Sequence, residues 1–299
     1  MKILITGITG FVGSHLAEYV LNQKEGHEIY GLCRWRSPKV NLPTIYNKIK
    51  MVEADLCDLS GLLRHVKMIR PDIIFHLAAQ SYVLTSFNTP VQTIWTNVIG
   101  TVNLLEAVRL SEINPVIHIC SSSEVYGQVS EDEVPITESC PFRPASPYAV
   151  SKVGEDMVAF QYWVSYKIKT IRTRMFTHTG PRRGDVFAMS FFGKQIAAAE
   201  LGLKEPIIHV GNLKSIRTFC DVRDAVKAYW LLVNKCKPGE VYNIGGDATL
   251  TIGEALEKML SFSRKKCEVK VDPHLLRPSD VTLQIPSTEK FSKETGWKP

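Results

Sequence analysis

Residues 7–13 read Gly-Ile-Thr-Gly-Phe-Val-Gly, between the apolar run Ile3-Leu4-Ile5 and an amphipathic stretch. Strand, glycine turn and helix in that order constrain this chain more than any other feature. A tight turn that brings backbone close to a ligand favours residues without a Cβ. The helix after it aims free N–H groups and the positive end of its dipole at whatever lies over the turn, which suits a pyrophosphate. Gly13 would let that helix lie close to the sheet. The spacing therefore predicts a nucleotide site built from Gly7, Thr9, Gly10, Phe11, Val12 and Gly13.

The rest of the chain predicts where that site stands. Strands are expected near 27–33, 49–54, 72–77, 116–120 and 170–175, and helices near 12–23, 59–69, 90–109 and 146–166. Short apolar runs alternating with helical ones imply an α/β fold, a Rossmann-type doubly wound parallel sheet that binds ligands at its carboxyl edge. After residue 176 the pattern loosens into helices near 185–201, 221–235 and 251–262, with strand-like pieces at 207–210 and 241–244. The expected division is a nucleotide-binding domain over 1–176 and a smaller mixed α/β substrate domain over 177–299, leaving open a return of the chain to the sheet.

Composition excludes several classes. There is no run of about 18 apolar residues, so no membrane span is expected. Ile3 to Ile5 already belong to the first strand, so no signal peptide is expected before it. The seven cysteines are scattered, with no Cys-x-x-Cys, which argues against a metal site or disulfide framework and for reduced thiols in a cytoplasm. The net charge of +6 is spread along the chain, without a basic block interleaved with aromatics, so no nucleic-acid partner is expected. A small anionic ligand fits that balance, as does a lysine-rich solvated surface.

Ser146-Pro147-Tyr148-Ala149-Val150-Ser151-Lys152 contains Tyr-x-x-x-Lys. Positions i and i+4 share one helix face, so phenol and ammonium point into one cleft. A nearby cation favours phenolate, which lets a tyrosine act as acid or base. The spacing alone also describes ordinary surface helices. Its company is more specific: Ser121-Ser122-Ser123-Glu124 ends the fifth strand at the ligand-binding edge, where Ser122 can hold the same oxygen as Tyr148.

Gly-x-x-Gly-x-x-Gly, Tyr148-x-x-x-Lys152, His76-Leu77-Ala78-Ala79-Gln80 and Asn97-x-x-Gly100-Thr101 together resemble the extended short-chain dehydrogenase/reductases of the nucleotide-sugar epimerase and dehydratase type. The resemblance covers the whole chain. It implies hydride transfer at a sugar carbon by Ser122, Tyr148 and Lys152. It implies a nicotinamide cofactor beside Leu56, Leu77, Ala78 and Ala79, with Asp55 at the adenine. Ser81 and Ser123 are implied to meet the substrate, a nucleotide-diphosphate sugar.

The cofactor's phosphate pattern is legible. An NAD site places an acid at the end of the second strand, against the ribose 2′-hydroxyl. Here that place reads Cys33-Arg34-Trp35-Arg36-Ser37. Guanidinium groups at Arg34 and Arg36, with Ser37, suit a 2′-phosphate, so NADP is expected over NAD; a basic solvated loop reads the same way.

Within the family the chain resembles both the GDP-mannose 4,6-dehydratases and the GDP-4-keto-6-deoxy-mannose reductases. Dehydration oxidises C4, eliminates water across C5 and C6, and returns the hydride to C6. Glu124, two residues before Tyr126-Gly127, has the spacing of the dehydratases' C5 base, although some reductases and epimerases keep an acid there. The expected function is a GDP-sugar 4,6-dehydratase; the alternative is an NADPH-dependent reductase or an epimerase. Arg217 and Arg277 match arginines that meet the substrate's diphosphate, and Arg183 is a further candidate. Thr177 and Thr218 replace a usual asparagine and aspartate, both expected near the hexose and phosphates. The helices at 90–109 and 146–166 carry Trp95, Tyr162, Trp163 and Tyr166, and the resemblance implies that they pair two copies into a homodimer, or a tetramer.

Overall fold

A computed structural model describes residues 1–23 and 26–299. β1 (Lys2–Thr6) enters the glycine turn and α1 (Phe11–Leu21) leaves it. There follow β2 (Glu28–Cys33), β3 (Lys50–Glu53), α2 (Leu59–Ile69), β4 (Ile73–His76), α3 (Val83–Asn88), α4 (Pro90–Ile94) and α5 (Gly100–Leu110). Then come β5 (Val116–Ser122), α6 (Pro147–Tyr166), β6 (Thr170–Met175), β7 (His178–Thr179), α7 (Ala188–Glu200) and β8 (Ile207–Val210). The remainder holds β9 (Ile216–Asp221), α8 (Val222–Lys235), β10 (Val241–Ile244), β11 (Ala248–Thr251), α9 (Ile252–Leu260), β12 (Glu268–Val271), β13 (Leu283–Gln284) and α10 (Glu289–Thr295).

Seven parallel strands form the central sheet in the order β10-β6-β5-β4-β1-β2-β3. This is the Rossmann-type doubly wound order, running outward from β1 to β3 and then outward the other way from β4. The reversal opens a crevice beyond the carboxyl ends of β1 and β4. Thr6 pairs with both Leu32 and His76, so three loops leave the sheet side by side at that edge.

Side-chain alternation sends Ile3, Ile5 and Phe75 into one layer and Leu4 and Ile74 into the other. The first layer also holds Leu16 of α1, Tyr229 of α8, Phe291 of α10 and Trp297. The second holds Leu62 of α2, Leu104 of α5 and Tyr162 of α6. Strands buried on both faces read as continuous apolar runs, which is why these segments were legible as strands.

Two elements differ from expectation. Val241–Ile244, read as part of the smaller domain, is the seventh strand of the main sheet, hydrogen-bonded to β6. The helix expected over 90–109 is interrupted at Trp95–Ile99 by a π turn. There the buried Asn97 side chain accepts from Gln80 N at 2.8 Å and donates to Gln80 O at 3.0 Å and Ser151 Oγ at 2.9 Å. Thr101 donates its hydroxyl proton to the Asn97 carbonyl at 2.6 Å. Such turns are local responses to polar contacts inside a helix, and no apolar periodicity reports them.

Residues beyond β6 also build a smaller layer over the carboxyl edge. Phe192, Ile208, Val210 and Leu256 form its core under α7, α9 and the β8–β12 pair. A separate sheet runs β11-β9-β13, with β7 beside β9.

Candidate active site

Gly7 has φ +70°, and a Cβ there would stand 2.9 Å from the Ala78 backbone. A Cβ on Gly13 would lie 2.4 Å from the Gly7 carbonyl, so α1 could not seat against the turn. The Thr6 hydroxyl oxygen accepts from Leu77 N and Ala78 N, both at 3.1 Å, tying the turn to the loop after β4. No side chain caps α1, whose first N–H groups stay available over the turn. Thr9, Gly10, Phe11 and Val12 line the cleft in front of it, which has a volume of about 990 Å³.

Ser146 caps α6 by accepting from Ala149 N at 3.1 Å, with Pro147 in the first turn, so the helix begins where Tyr148 must be held. Tyr148 and Lys152 both face the cleft and are both buried. Ser122, at the end of β5, lines the cleft with them, and its hydroxyl favours the ionised form of the phenol. Lys152 Nζ donates to Cys120 O at 3.0 Å and to Glu155 Oε2 at 3.0 Å. Burial pushes the Tyr148 phenol above its ordinary value, and the opposing pull of Lys152 and then Ser122 does not overcome it. The sequence predicted a lowered phenol; the desolvation of a closed site outweighs one cation that is already engaged elsewhere. For Lys152 burial acts against the charge, but Glu155, Tyr148 and Cys120 hold the ammonium above the usual lysine range.

Glu124 enters the cleft from the short helical turn after β5, with 14% of its side chain exposed. Arg277 Nη1 lies 4.0 Å from Glu124 Oε1 and 3.7 Å from Asp280 Oδ1. Arg183 and Arg217 line the same cleft and have no carboxylate ion pair among the described residues. Arg217 donates to Ile216 O and Val281 O, and Arg183 donates to His178 O. The Arg183 guanidinium lies 4.2 Å from the Phe187 ring centre, and burial pushes it down to about 10. Three guanidinium groups, two without acids, make a cleft suited to a diphosphate.

The remaining expected residues fall into place around this centre. Leu77, Ala78, Ala79, Ser81, Asp55, Leu56, Arg34 and Ser37 all line the cleft, Asp55 accepting from Cys57 N at 2.9 Å. Arg36 does not; it lines a shallower hollow next door, shared with Arg34, Trp35, Ser37 and Asp55, its guanidinium 4.5 Å from the Trp35 ring centre. Ser123 lines the cleft but donates its hydroxyl to Gln284 Oε1 at 3.1 Å. Thr177 lines the cleft. Thr218 corrects the sequence expectation: alternation along β9 turns Arg217 and Phe219 to the cleft and Thr218 away, into a 2.8 Å hydrogen bond with Thr249 Oγ1.

A family model described as GDP-mannose 4,6 dehydratase matches residues 4–299. The chain belongs to that family. A GDP-mannose 4,6-dehydratase of Yersinia enterocolitica is 33% identical over 339 aligned positions, covering 100% of this chain and 89% of that one. A GDP-6-deoxy-D-mannose reductase of Pseudomonas aeruginosa is 32% identical, covering 100% and 92%. Among solved structures, RMD from Pseudomonas aeruginosa complexed with NADPH superposes with a TM-score of 0.85 at 30% identity, covering 100% of this chain and 93% of that one. Family members thus include both dehydratases and a reductase, the two activities between which the motifs stood.

Within this family site, several side chains escaped the sequence reading. Glu155 followed Lys152 at a helical spacing of three, and that inward-facing acid was the signal available. Asn212 and Ser215, which donate to Asp280 Oδ2 at 2.7 and 3.1 Å, come from a turn with no periodicity to announce them.

Proposed function

We propose that the chain is a nucleotide-sugar 4,6-dehydratase that converts GDP-mannose to GDP-4-keto-6-deoxy-mannose with NADP as resident cofactor. The observation that carries this reading is the Glu124 carboxylate, in the same cleft as Ser122, Tyr148 and Lys152. NADP fits the residues present: glycines 7 and 13 sit where a Cβ would clash, and Arg34 and Ser37 line both the cleft and the hollow holding Arg36. When bound, the cofactor takes up a hydride from the sugar and gives it back.

Tyr148 removes the proton of the C4 hydroxyl, Ser122 holds the same oxygen, and Lys152 stabilises the phenolate. The 4-keto group formed makes the C5 proton acidic. Glu124 removes it and hands it to the C6 hydroxyl, which leaves as water; the proton taken up at C4 balances the one that C5 regains when the hydride returns to C6. Arg217 and Arg277 grip the substrate's diphosphate, with Arg183 alongside. Incubation with GDP-mannose, trace NADP and no reductant should yield a 4-keto-6-deoxy sugar, detected by mass spectrometry. No such product would sink the reading.

The similarity to the Pseudomonas reductase favours a second reading, an NADPH-dependent 4-keto-sugar reductase. The two differ in stoichiometry: a reductase consumes one NADPH per product, whereas a dehydratase consumes none.

A homodimer is part of the proposal. Val91, Trp95, Val150, Phe160, Val164 and Tyr166 expose apolar surface along α4, the π turn and α6, suited to burial against a second copy. Tyr162 is not on that face; it is buried and donates to Glu106 at 2.7 Å. Light scattering showing a monomer at micromolar concentration would refute it. No helix among the described residues is long and apolar enough to cross a membrane, and the site of action proposed is the cytoplasm.

A further inference from the structure

Glu155 lies on α6 just beyond Lys152, is 1% exposed, and takes no part in the chemistry set out above. Its Oε2 accepts from Lys152 Nζ at 3.0 Å, while Oε1 is buried with no hydrogen-bond partner among the described residues. A half-satisfied buried carboxylate is a costly way to hold a lysine, since a neutral group could accept the same proton. The ammonium also lies 5.9 Å from the centre of the Tyr148 ring. One cation is therefore shared between an acid and the phenol it has to activate.

We propose that Glu155 is a positioning residue that sets, through Lys152, how strongly the Tyr148 phenolate is stabilised. Ionised, it cancels part of the ammonium's field; protonated, it leaves the whole charge to the phenol. The inference rests on Tyr148 and Lys152 being the acid–base pair, and it holds for dehydratase and reductase alike.

The neighbouring groups leave Glu155 alone in this role. The Thr6 hydroxyl of β1 accepts from two backbone N–H groups and so gives its own proton to Nδ1 of His76, on β4, at 2.9 Å. His76 Nε2 then donates to Thr101 at 3.0 Å, which makes the ring a neutral tautomer. On β5, His118 is buried and neutral against Thr173, and Cys120 offers its carbonyl to Lys152. Tyr229 of α8 bonds Cys120 Sγ at 3.3 Å. Asp156, the next residue of α6, is taken by Arg172 and Arg174 of β6 at 2.8 and 2.9 Å. Arg183 faces Tyr148 from the cleft as a second cation. Burial pushes the Glu155 carboxyl up to about 7, against the pull of Lys152.

The test is a 13C NMR titration of protein labelled at tyrosine Cζ, with the Tyr148 signal assigned by its loss in Tyr148→Phe. It needs neither substrate nor turnover, so a failed dehydratase assay leaves it intact. Glu155→Gln keeps an acceptor for Nζ and removes the charge; Tyr148 should then ionise about one pH unit lower, a tenfold change in its constant. Unchanged ionisation overturns the proposal. In a Lys152→Met background the same substitution should lose most of its effect; a shift that persists in full excludes the route through the lysine. The unmodified protein supplies a check that needs no variant to fold: the Tyr148 signal should show an inflection near neutral pH as Glu155 titrates, and a flat trace there overturns the proposal as well.

Discussion

Arg277 and Glu124 face one another in the cleft with Nη1 and Oε1 4.0 Å apart, too long for a hydrogen bond and close enough for charge to matter. Arg277 thus has donors left for a phosphate, and Glu124 is not locked into a tight ion pair.

Separate consequences follow for the two residues. Glu124→Gln should lower kcat by about 10²–10⁴ and leave KM nearly unchanged, because it removes a proton acceptor and little binding. Arg277→Ala should raise KM by about 10–100-fold, the worth of a charge-assisted hydrogen bond of about 1.5–3 kcal/mol. Steady-state kinetics with GDP-mannose would check both, and a reversed pattern would exchange the assigned roles.

Cofactor choice should rest unequally on the two arginines after β2. Arg34 lines both the cleft and the neighbouring hollow, whereas Arg36 lines only the hollow and lies over Trp35. Arg34→Ala is expected to cut the preference for NADP over NAD by about tenfold or more, and Arg36→Ala by less. Fluorescence titration with NADPH and NADH measures the ratio; equal affinities in the unaltered protein would dismiss the 2′-phosphate site.

Stability should depend strongly on Asp156. It is fully buried and carries both Arg172 and Arg174, so Asp156→Ala leaves two buried guanidinium groups uncompensated, at a cost of about 3–5 kcal/mol. The exposed Lys50–Glu28 pair at 2.6 Å should be removable by Glu28→Ala with no measurable change in the urea midpoint. Similar effects from both would contradict the burial assigned here.

Acid should destabilise the fold. His76, His118 and His178 are each pushed down to about 3, chiefly by burial, so the unfolded chain binds protons that the native chain refuses as pH falls from about 6.5. Their stabilisation is present above the unfolded value near 6.5 and is lost as pH falls toward 3. Glu155, held at about 7, acts in the opposite sense: its contribution is present below the unfolded value near 4.5 and is lost as pH rises to 7. Three groups against one leave a net uptake of about two protons on unfolding between pH 4.5 and 6.5. Urea titrations across that range should therefore show stability falling with pH; a flat profile would mean that the histidines are already charged in the native state.

Much of this was written in local pattern. The glycine spacing, the apolar runs of β1, β4 and β5, and Tyr148-x-x-x-Lys152 each concern residues within a few positions of one another. Backbone geometry and side-chain period carry that information directly. Hence the doubly wound class was legible before any coordinates, and the expected site residues line one cleft, except Arg36 and Thr218. Thr218 was placed by resemblance alone and misplaced, although the period of a strand, applied to Arg217 and Phe219, would have turned it away.

The sequence by itself determined the fold class, the glycine turn and the placing of Tyr148 and Lys152 on one helix face, because a turn, a helix face and a strand period are set by neighbours in the chain. Only the tertiary structure decided how those groups are charged and shared. It put Val241–Ile244 into the main sheet, set Glu155 beside Lys152 with one oxygen unpaired, and set Arg277 opposite Glu124. Burial, and the long-range contacts that create it, fix desolvation and field, and these have no period to be read along a chain.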